Sequence, residues 1–488
     1  MMLSLLLFFP LLAAIAVLFS GTRAKHIALG ATILEFLISI SLVFKFLPDG
    51  GTQFVENYWW VQGLGISYHV GMDGISLLLV LLTTFLLPLI ILSSFQHKHK
   101  NPGLFYFLIL VMQSALLGVF VSLDAFLFYV FWELALIPIY LICLVWGGKD
   151  RVRITLKFFI YTLFGSLLML VALIWLWTQT PGNHSFELSS FYALNIDPAN
   201  QTWLFWALFL AFAIKIPIFP FHTWQPDTYT DSPTAGTMLL SGIMLKMGIY
   251  GLLRWMLPVI PEGVHEWSNI AILLCVIGIV YASLIAWVQK DFKRLIAYSS
   301  IAHVGLIAAG VFSLSFQGVH GSVFQMLSHG VNVVGLFFIA DIIERRTQTR
   351  DLDALGGIRL VAPGFSTYFI IVLLASIALP LTNGFVGEFL LLNGLYQYST
   401  PAAVLAGLTV IFGAVYMLNA YRKIVLGEAA ASTQSFTELN TNEKLVLIPI
   451  VVLIFWMGIY PDFFLKISEP SVKDLRDIIY SASGFSSN

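Results

Sequence analysis

With 488 residues, 59% of them hydrophobic and only 10% charged, this chain is far from a soluble globular domain, where about a quarter of residues carry charge. A net charge of −1 without any basic tract excludes a nucleic-acid surface, and no G-x-G-x-x-G or Walker A pattern marks a dinucleotide or ATP site. Cys143 and Cys275, the two cysteines, are too few and too far apart for an iron–sulfur cluster or structural zinc, and no disulfide is expected between them.

A helix needs about 20 apolar residues to cross a bilayer. The first apolar run, from Met1 to Phe19, has no basic residue ahead of it, and Arg23 and Lys25 follow it. It therefore reads as a first membrane span rather than a cleaved signal peptide. Continuing along the chain, spans are expected near 2–20, 26–46, 74–95, 103–120, 123–146, 154–178, 203–221, 235–257, 268–288, 294–313, 318–341, 364–398, 402–424 and 442–461. The expected fold class is an all-α polytopic membrane protein of about fourteen transmembrane helices. Trp59-Trp60, between the second and third spans, reads as an interfacial anchor. The seventh span is interrupted by Pro217 and Pro220 and the twelfth by Pro380-Leu-Thr-Asn-Gly384. Proline removes a backbone donor and clashes with the preceding turn, so both sites should be unwound or kinked.

Lysine and arginine set the orientation. Loops after odd-numbered spans hold eighteen of them and the opposite side five; two lie inside spans, which accounts for all 25. The positive-inside rule makes the richer side cytoplasmic and puts both termini on the other. Broken helices five spans apart suggest two inverted five-helix repeats, a recurring transporter design with the site at the breaks. The expected organisation is a three-helix segment over 1–100, a first repeat (spans 4–8) over 101–258, an inverted second repeat (spans 9–13) over 259–425, and a final helix and tail over 426–488.

Within this frame a few polar residues stand out. Lys215 and Lys246 lie inside otherwise lipid-soluble stretches, where a cation costs roughly 2.5–3.5 kcal/mol and needs a partner or a wet cavity. Lys215 comes just before the Pro217 break, where free carbonyls at a helix C-terminus favour a cation. Glu133, in the fifth span, is its expected counter-ion. The pair reads either as a tunable proton site or as a static ion pair that fixes packing. Lys246, central in the eighth span, has no acidic neighbour on its helix and lies too deep to snorkel easily. His222 follows the Pro220 break, and His303 and His329 lie mid-span in neighbouring helices. Each alone is compatible with a structural histidine; together they suit a relay, since histidine titrates near neutral pH. Glu388 follows the second break and reads as a proton-holding group, a first-turn acid favoured by the helix dipole, or both. Asp73 and Asp124, at helix starts, are mainly capping candidates, and Glu35 in the second span is a weaker proton candidate.

The segments Gly71-Met-Asp-Gly-Ile-Ser76, Phe131-Trp-Glu-Leu134, Lys215-Ile-Pro-Ile-Phe-Pro-Phe-His-Thr-Trp-Gln-Pro-Asp227, Ser232-Pro-Thr-Ala-Gly236 and Asp291-Phe-Lys-Arg-Leu-Ile-Ala-Tyr-Ser-Ser-Ile-Ala-His303 resemble the antiporter-like membrane subunits of complex I, over nearly the whole chain. Within that family the chain is most similar to the M-type (chain 4) branch. It bears Glu388 where L-type chains resemble one another in having lysine, and it ends soon after the fourteenth span. The resemblance implies that Glu133 and Lys215 form a controlling pair and that Lys246 is the central proton carrier. It further implies that His303 and His329 lie on a polar axis, that Glu388 connects the second half-channel, and that His222 occupies a motif position. It also implies a bacterial inner-membrane subunit that works only beside other complex I membrane subunits, with no cofactor of its own. NADH, FMN, iron–sulfur clusters and quinone would be handled by partner subunits. The alternative is a cation/proton antiporter subunit of a multi-subunit Mrp-type complex, which shares the fold and the axis. A structural scaffold would have no use for buried lysines.

Overall fold

The computed structural model describes residues 1–483 and is mostly helical. Two helices, α1 (Met2–Leu18) and α2 (Ala24–Val43), precede an antiparallel hairpin of β1 (Gln53–Val61) and β2 (Ile66–Met72). Then come α3 (Gly74–Ser93), α4 (Pro102–Val121), α5 (Ala125–Trp146) and α6 (Arg151–Gln179). A broken helix follows, α7a (Pro198–Lys215) and α7b (Gln225–Asp231), and after it α8 (Thr234–Met256), α9 (Pro261–Trp287), α10 (Phe292–Phe312) and α11 (Phe316–Thr347). A second broken helix, α12a (Pro363–Ser376) and α12b (Asn383–Tyr398), leads to α13 (Thr400–Val425), α14 (Thr441–Ile459) and α15 (Asp462–Ser483).

Among the described residues, eleven helices are long and apolar enough to cross a membrane. The other three expected spans are α1, a 17-residue helix, and the two broken ones. Burial separates the helices into shells. The apolar stretches of α8 and α11 are wholly buried, those of α3, α4 and α10 nearly so, and α2 and α13 expose most of theirs. An apolar helix face that meets no protein suits lipid, so the wholly buried α8 and α11 are where polar groups can survive.

Both breaks fall where proline predicts, and both are stitched. After α7a, the indole Nε1 of Trp224 donates to the Ile214 carbonyl at 2.9 Å, and the Ile218 amide reaches the Ala213 carbonyl at 2.8 Å. After α12a, Asn332 Nδ2 on α11 donates to the Ala375 carbonyl at 3.1 Å, and Thr382 Oγ1 to that of Leu379 at 2.6 Å. These bonds replace the helix ladder where no water would. The second break lies slightly earlier than expected. It spans 377–382, with Ala378 (φ 58°) and Leu381 (φ 74°) left-handed, while Asn383 and Gly384 already belong to α12b.

Three features lie outside the sequence reading. The segment between α2 and α3 forms the hairpin, with Trp59 and Trp60 exposed on β1. The expected tail carries the further helix α15, which is interrupted by neither Pro470 nor its charges. Finally, α8 contains two π-helical turns, Leu240–Met244 and Leu252–Met256. Single π turns widen a helix locally and concentrate at functional sites.

Candidate functional site

Lys246 is completely buried on α8, one turn beyond Gly242. Its Nζ donates to the Ser241 carbonyl at 2.7 Å, within the first π turn, and lies 2.9 Å from Nδ1 of His329 on α11. Two glycines allow this contact. A Cβ on Gly330, the residue after His329, would come within 2.9 Å of the Gly242 carbonyl oxygen. Small residues thus bring the two backbones close enough for a lysine to meet a histidine, as they do in membrane helix pairs generally.

The line continues through α10 to α12b. His329 Nε2 is 3.0 Å from Ser300 Oγ, and the His329 and His303 ring centroids are 6.4 Å apart. His303 Nδ1 then meets Glu388 Oε1 at 2.8 Å, with Gln325 Nε2 at 3.5 Å from the same oxygen. Between the histidines lies a cavity of about 20 Å³ lined by Ser300, His303, Gln325, His329 and Asn332. Around 10–15 Å³ suffices for the centre of one water. His303 Nε2, Gln325 Oε1, Asn332 Oδ1 and Glu388 Oε2 are buried and have no protein partner. Buried polar atoms without partners are costly, so a water bridging them is the natural occupant.

At the first break the arrangement differs. Lys215 ends α7a, nearly fully buried, with its Nζ 5.0 Å from the centre of the Trp132 ring. Glu133 is the next residue on α5 and acts on Lys215 through space, without a direct ion pair between them. Glu133 Oε1 is itself buried without a hydrogen-bond partner. His222 is set apart from this line; its ring stacks on Phe219 and meets Tyr281 edge-on. Glu35 is buried on α2 with both carboxylate oxygens unpartnered. Asp73 and Asp124 cap α3 and α5 by accepting from Ser76 and from Phe126 and Leu127 amides, as expected. Among the described residues, no group of histidine, cysteine, aspartate and glutamate is placed to hold a metal ion.

The structure therefore joins Lys246, His329, His303 and Glu388, brings Lys215 and Glu133 near one another without contact, and leaves His222 aside. The sequence reading missed Ser300, Gln325 and Asn332. A usable signal was present: Gln325, His329 and Asn332 follow i, i+4, i+7 spacing, one polar stripe on a buried helix.

Comparison with known proteins fits this geometry. The family described as NADH:quinone oxidoreductase/Mrp antiporter, TM, matches residues 122–413, and that described as NADH-ubiquinone oxidoreductase chain 4, amino terminus, matches residues 2–119. The NADH-quinone oxidoreductase subunit M of Rickettsia conorii is 41% identical, covering 97% of this chain and 98% of its own. A chain of respiratory complex I from Thermus thermophilus superposes with a TM-score of 0.91 at 30% identity, covering 98% of this chain and 100% of its own. A chain of the Mrp complex from Dietzia sp. DQ12-45-1b has a TM-score of 0.87 at 20% identity, covering 99% of both chains, and shares the fold. On this similarity over nearly its whole length, the chain belongs to the NADH-quinone oxidoreductase subunit M (chain 4) family.

Proposed function

We propose that this chain is a proton-translocating membrane subunit of a respiratory NADH:quinone oxidoreductase, moving protons along an intramembrane axis of Glu133, Lys215, Lys246, His329, His303 and Glu388. Quinone reduction in partner subunits drives the movement, and NADH, FMN and the iron–sulfur clusters belong to those partners. The observation that carries the reading is the buried run from Lys246 through His329 and Ser300 to His303 and Glu388. Each neighbour in it is a proton donor or acceptor, and the cavity between the histidines bridges the one long step. A scaffold gains nothing from so many titratable groups in hydrocarbon. An Mrp-type role shares the fold, but subunit M relatives at 41% identity favour the oxidoreductase.

In this reading α1 and the two broken helices also cross the bilayer, giving fourteen spans with both termini on the non-cytoplasmic face of a bacterial inner membrane. Spans 4–8 (101–258) and 9–13 (259–425) are inverted repeats, preceded by a three-helix segment (1–100) and followed by α14 and α15. The five-span offset between the breaks supports the repeat, as does the packing of α4 on α5, which recurs between α9 and α10. His222, aside from the line, is assigned to holding the first break through its ring contacts. Partners are the neighbouring complex I membrane subunits.

The direct test is Lys246→Ala in the assembled complex, measured as NADH-driven proton uptake by inverted membrane vesicles. Proton uptake should fall roughly tenfold or more, the scale of losing a central proton-transfer group. Uptake at the parental rate by a fully assembled variant would remove Lys246 from the axis.

A further inference from the structure

The motif Gly71-Met-Asp-Gly-Ile-Ser76 takes no part in the axis, yet its polar side chains meet α8 beyond Lys246. Lys246, Tyr250 and Arg254 follow one another at four-residue intervals and so lie on one face of that helix. The Tyr250 hydroxyl donates to the Phe120 carbonyl at 3.0 Å and lies 3.2 Å from Ser76 Oγ. Arg254 packs against the Tyr250 ring, its guanidinium carbon 5.7 Å from the centroid, and its Nη2 pairs with Asp73 Oδ2 at 2.5 Å. Asp73 Oδ1 caps the Ser76 amide at 3.0 Å, which locks acid and serine together. Asp73, Ser76 and Tyr250 are all buried.

Outside the ion pair lies a concavity of about 400 Å³ lined by His69, Asp73, Glu187, Tyr192, Arg254 and Asp474. Glu187 is paired with His69 and also accepts from Ser67 Oγ. Burial, with Asp477, Asp73 and Asp49 nearby, holds the Asp474 carboxyl above the usual carboxylate range. The hairpin and α15 both contribute to the basin wall, through His69 and Asp474. The Met1 ammonium binds Glu56 of the hairpin, and Ser471 Oγ of α15 accepts from the Gly74 amide at 2.9 Å.

We propose that Tyr250, Ser76, Asp73 and Arg254 form a gated proton route between Lys246 and this basin, with the Asp73–Arg254 pair as the gate. The proposal rests on Lys246 being a proton carrier. In the structure the Lys246 ammonium is turned toward His329, and Tyr250 lies one turn away, about 6 Å along the axis. The route works when the flexible lysine stem swings toward Tyr250. The tyrosine oxygen then accepts a proton as its own hydroxyl proton passes to Ser76 Oγ, and Ser76 releases one proton to the Asp73 carboxylate. Asp73 can take it only while Arg254 leans into the basin toward Glu187 and Asp474. When Arg254 returns, it displaces the proton to a basin carboxylate. Lys246 gives up one proton and a basin carboxylate gains one, and Tyr250, Ser76, Asp73 and Arg254 end as they began. Separating the pair strands two charges with little water around them, so the closed state is favoured at rest.

The test uses the complete complex in proteoliposomes, comparing protons moved per NADH oxidised with the passive proton leak. Tyr250→Phe keeps the ring and its packing but removes the hydroxyl, and should lower the pumping ratio by at least about twofold. Arg254→Gln keeps Asp73 as cap and proton acceptor but removes the gating cation, and should raise the leak several-fold; adding Lys246→Ala should abolish the extra leak. A parental pumping ratio in Tyr250→Phe overturns the route, as does a leak that is unchanged or indifferent to Lys246→Ala. Tyr250→Phe alone decides if the Arg254→Gln variant does not assemble. If Lys246→Ala by itself pumps normally, the axis fails; if it stops pumping while Tyr250→Phe does not, the axis stands and the route falls.

Discussion

The two helix breaks look alike in sequence and hold their charges differently. At the first, Lys215 rests against the Trp132 ring, with Glu133 nearby but out of contact and carrying an unpartnered oxygen. At the second, Glu388 is in direct contact with His303 at 2.8 Å. A charge held only through space can be shifted by a small movement of either helix. A contact pair must be broken before its proton moves on. The first break is thus built to respond and the second to hold, which suits a device whose two halves do not load together.

Several substitutions break or sharpen that contrast. The largest effects are expected at the responsive end. Lys215→Ala and Glu133→Ala should each lower proton pumping by roughly tenfold or more while the complex assembles, because the proposed axis loses a proton carrier or the charge that tunes it. Vesicle proton uptake with immunodetection of the assembled complex measures both, and normal pumping in either variant would make the pair structural. Glu388→Gln should come next. It preserves shape and a hydrogen bond to His303 but cannot release a proton, so pumping should fall severalfold; full activity would reduce Glu388 to a helix-start acid. Glu388→Asp, one methylene shorter, lengthens the His303 contact yet keeps a titratable group, and should pump faster than Gln and slower than the parent. An Asp variant slower than Gln would indicate that the contact matters more than the proton. The smallest effect belongs to Trp132→Leu, which removes a cation–π contact worth about 0.5–2 kcal/mol. It should alter the pH dependence of pumping more than its maximal rate, and an unchanged profile would leave the ring as packing only.

Much of this arrangement is legible in the sequence, for identifiable reasons. Lys215, Lys246 and Glu388 declare themselves because charge in a hydrophobic run is rare, and Pro217, Pro220 and Pro380 mark breaks because proline cannot continue the ladder. Asp73 was legible only as a cap; its bond to Arg254 joins residues far apart in sequence, which no local pattern reveals. The same holds for His303 and Glu388. The hairpin escaped notice because β1 buries almost nothing, so it lacks the alternation that identifies a strand. The helix α15 escaped because it is too charged to register as a span.

The π turn at Leu240–Met244 acts as a phase shift. A π turn accommodates an extra residue in a helical turn, and each α-helical residue advances the chain by about 100°. Were the same residues wound as regular helix, with no charge or polar group removed, everything after them would rotate by about that angle. Lys246 would then turn away from His329 while its own surroundings in sequence stayed the same. The winding of this segment, rather than its composition, sets which way the central lysine points. A further single-residue insertion between Gly236 and Lys246 should therefore be far less tolerable than most substitutions there.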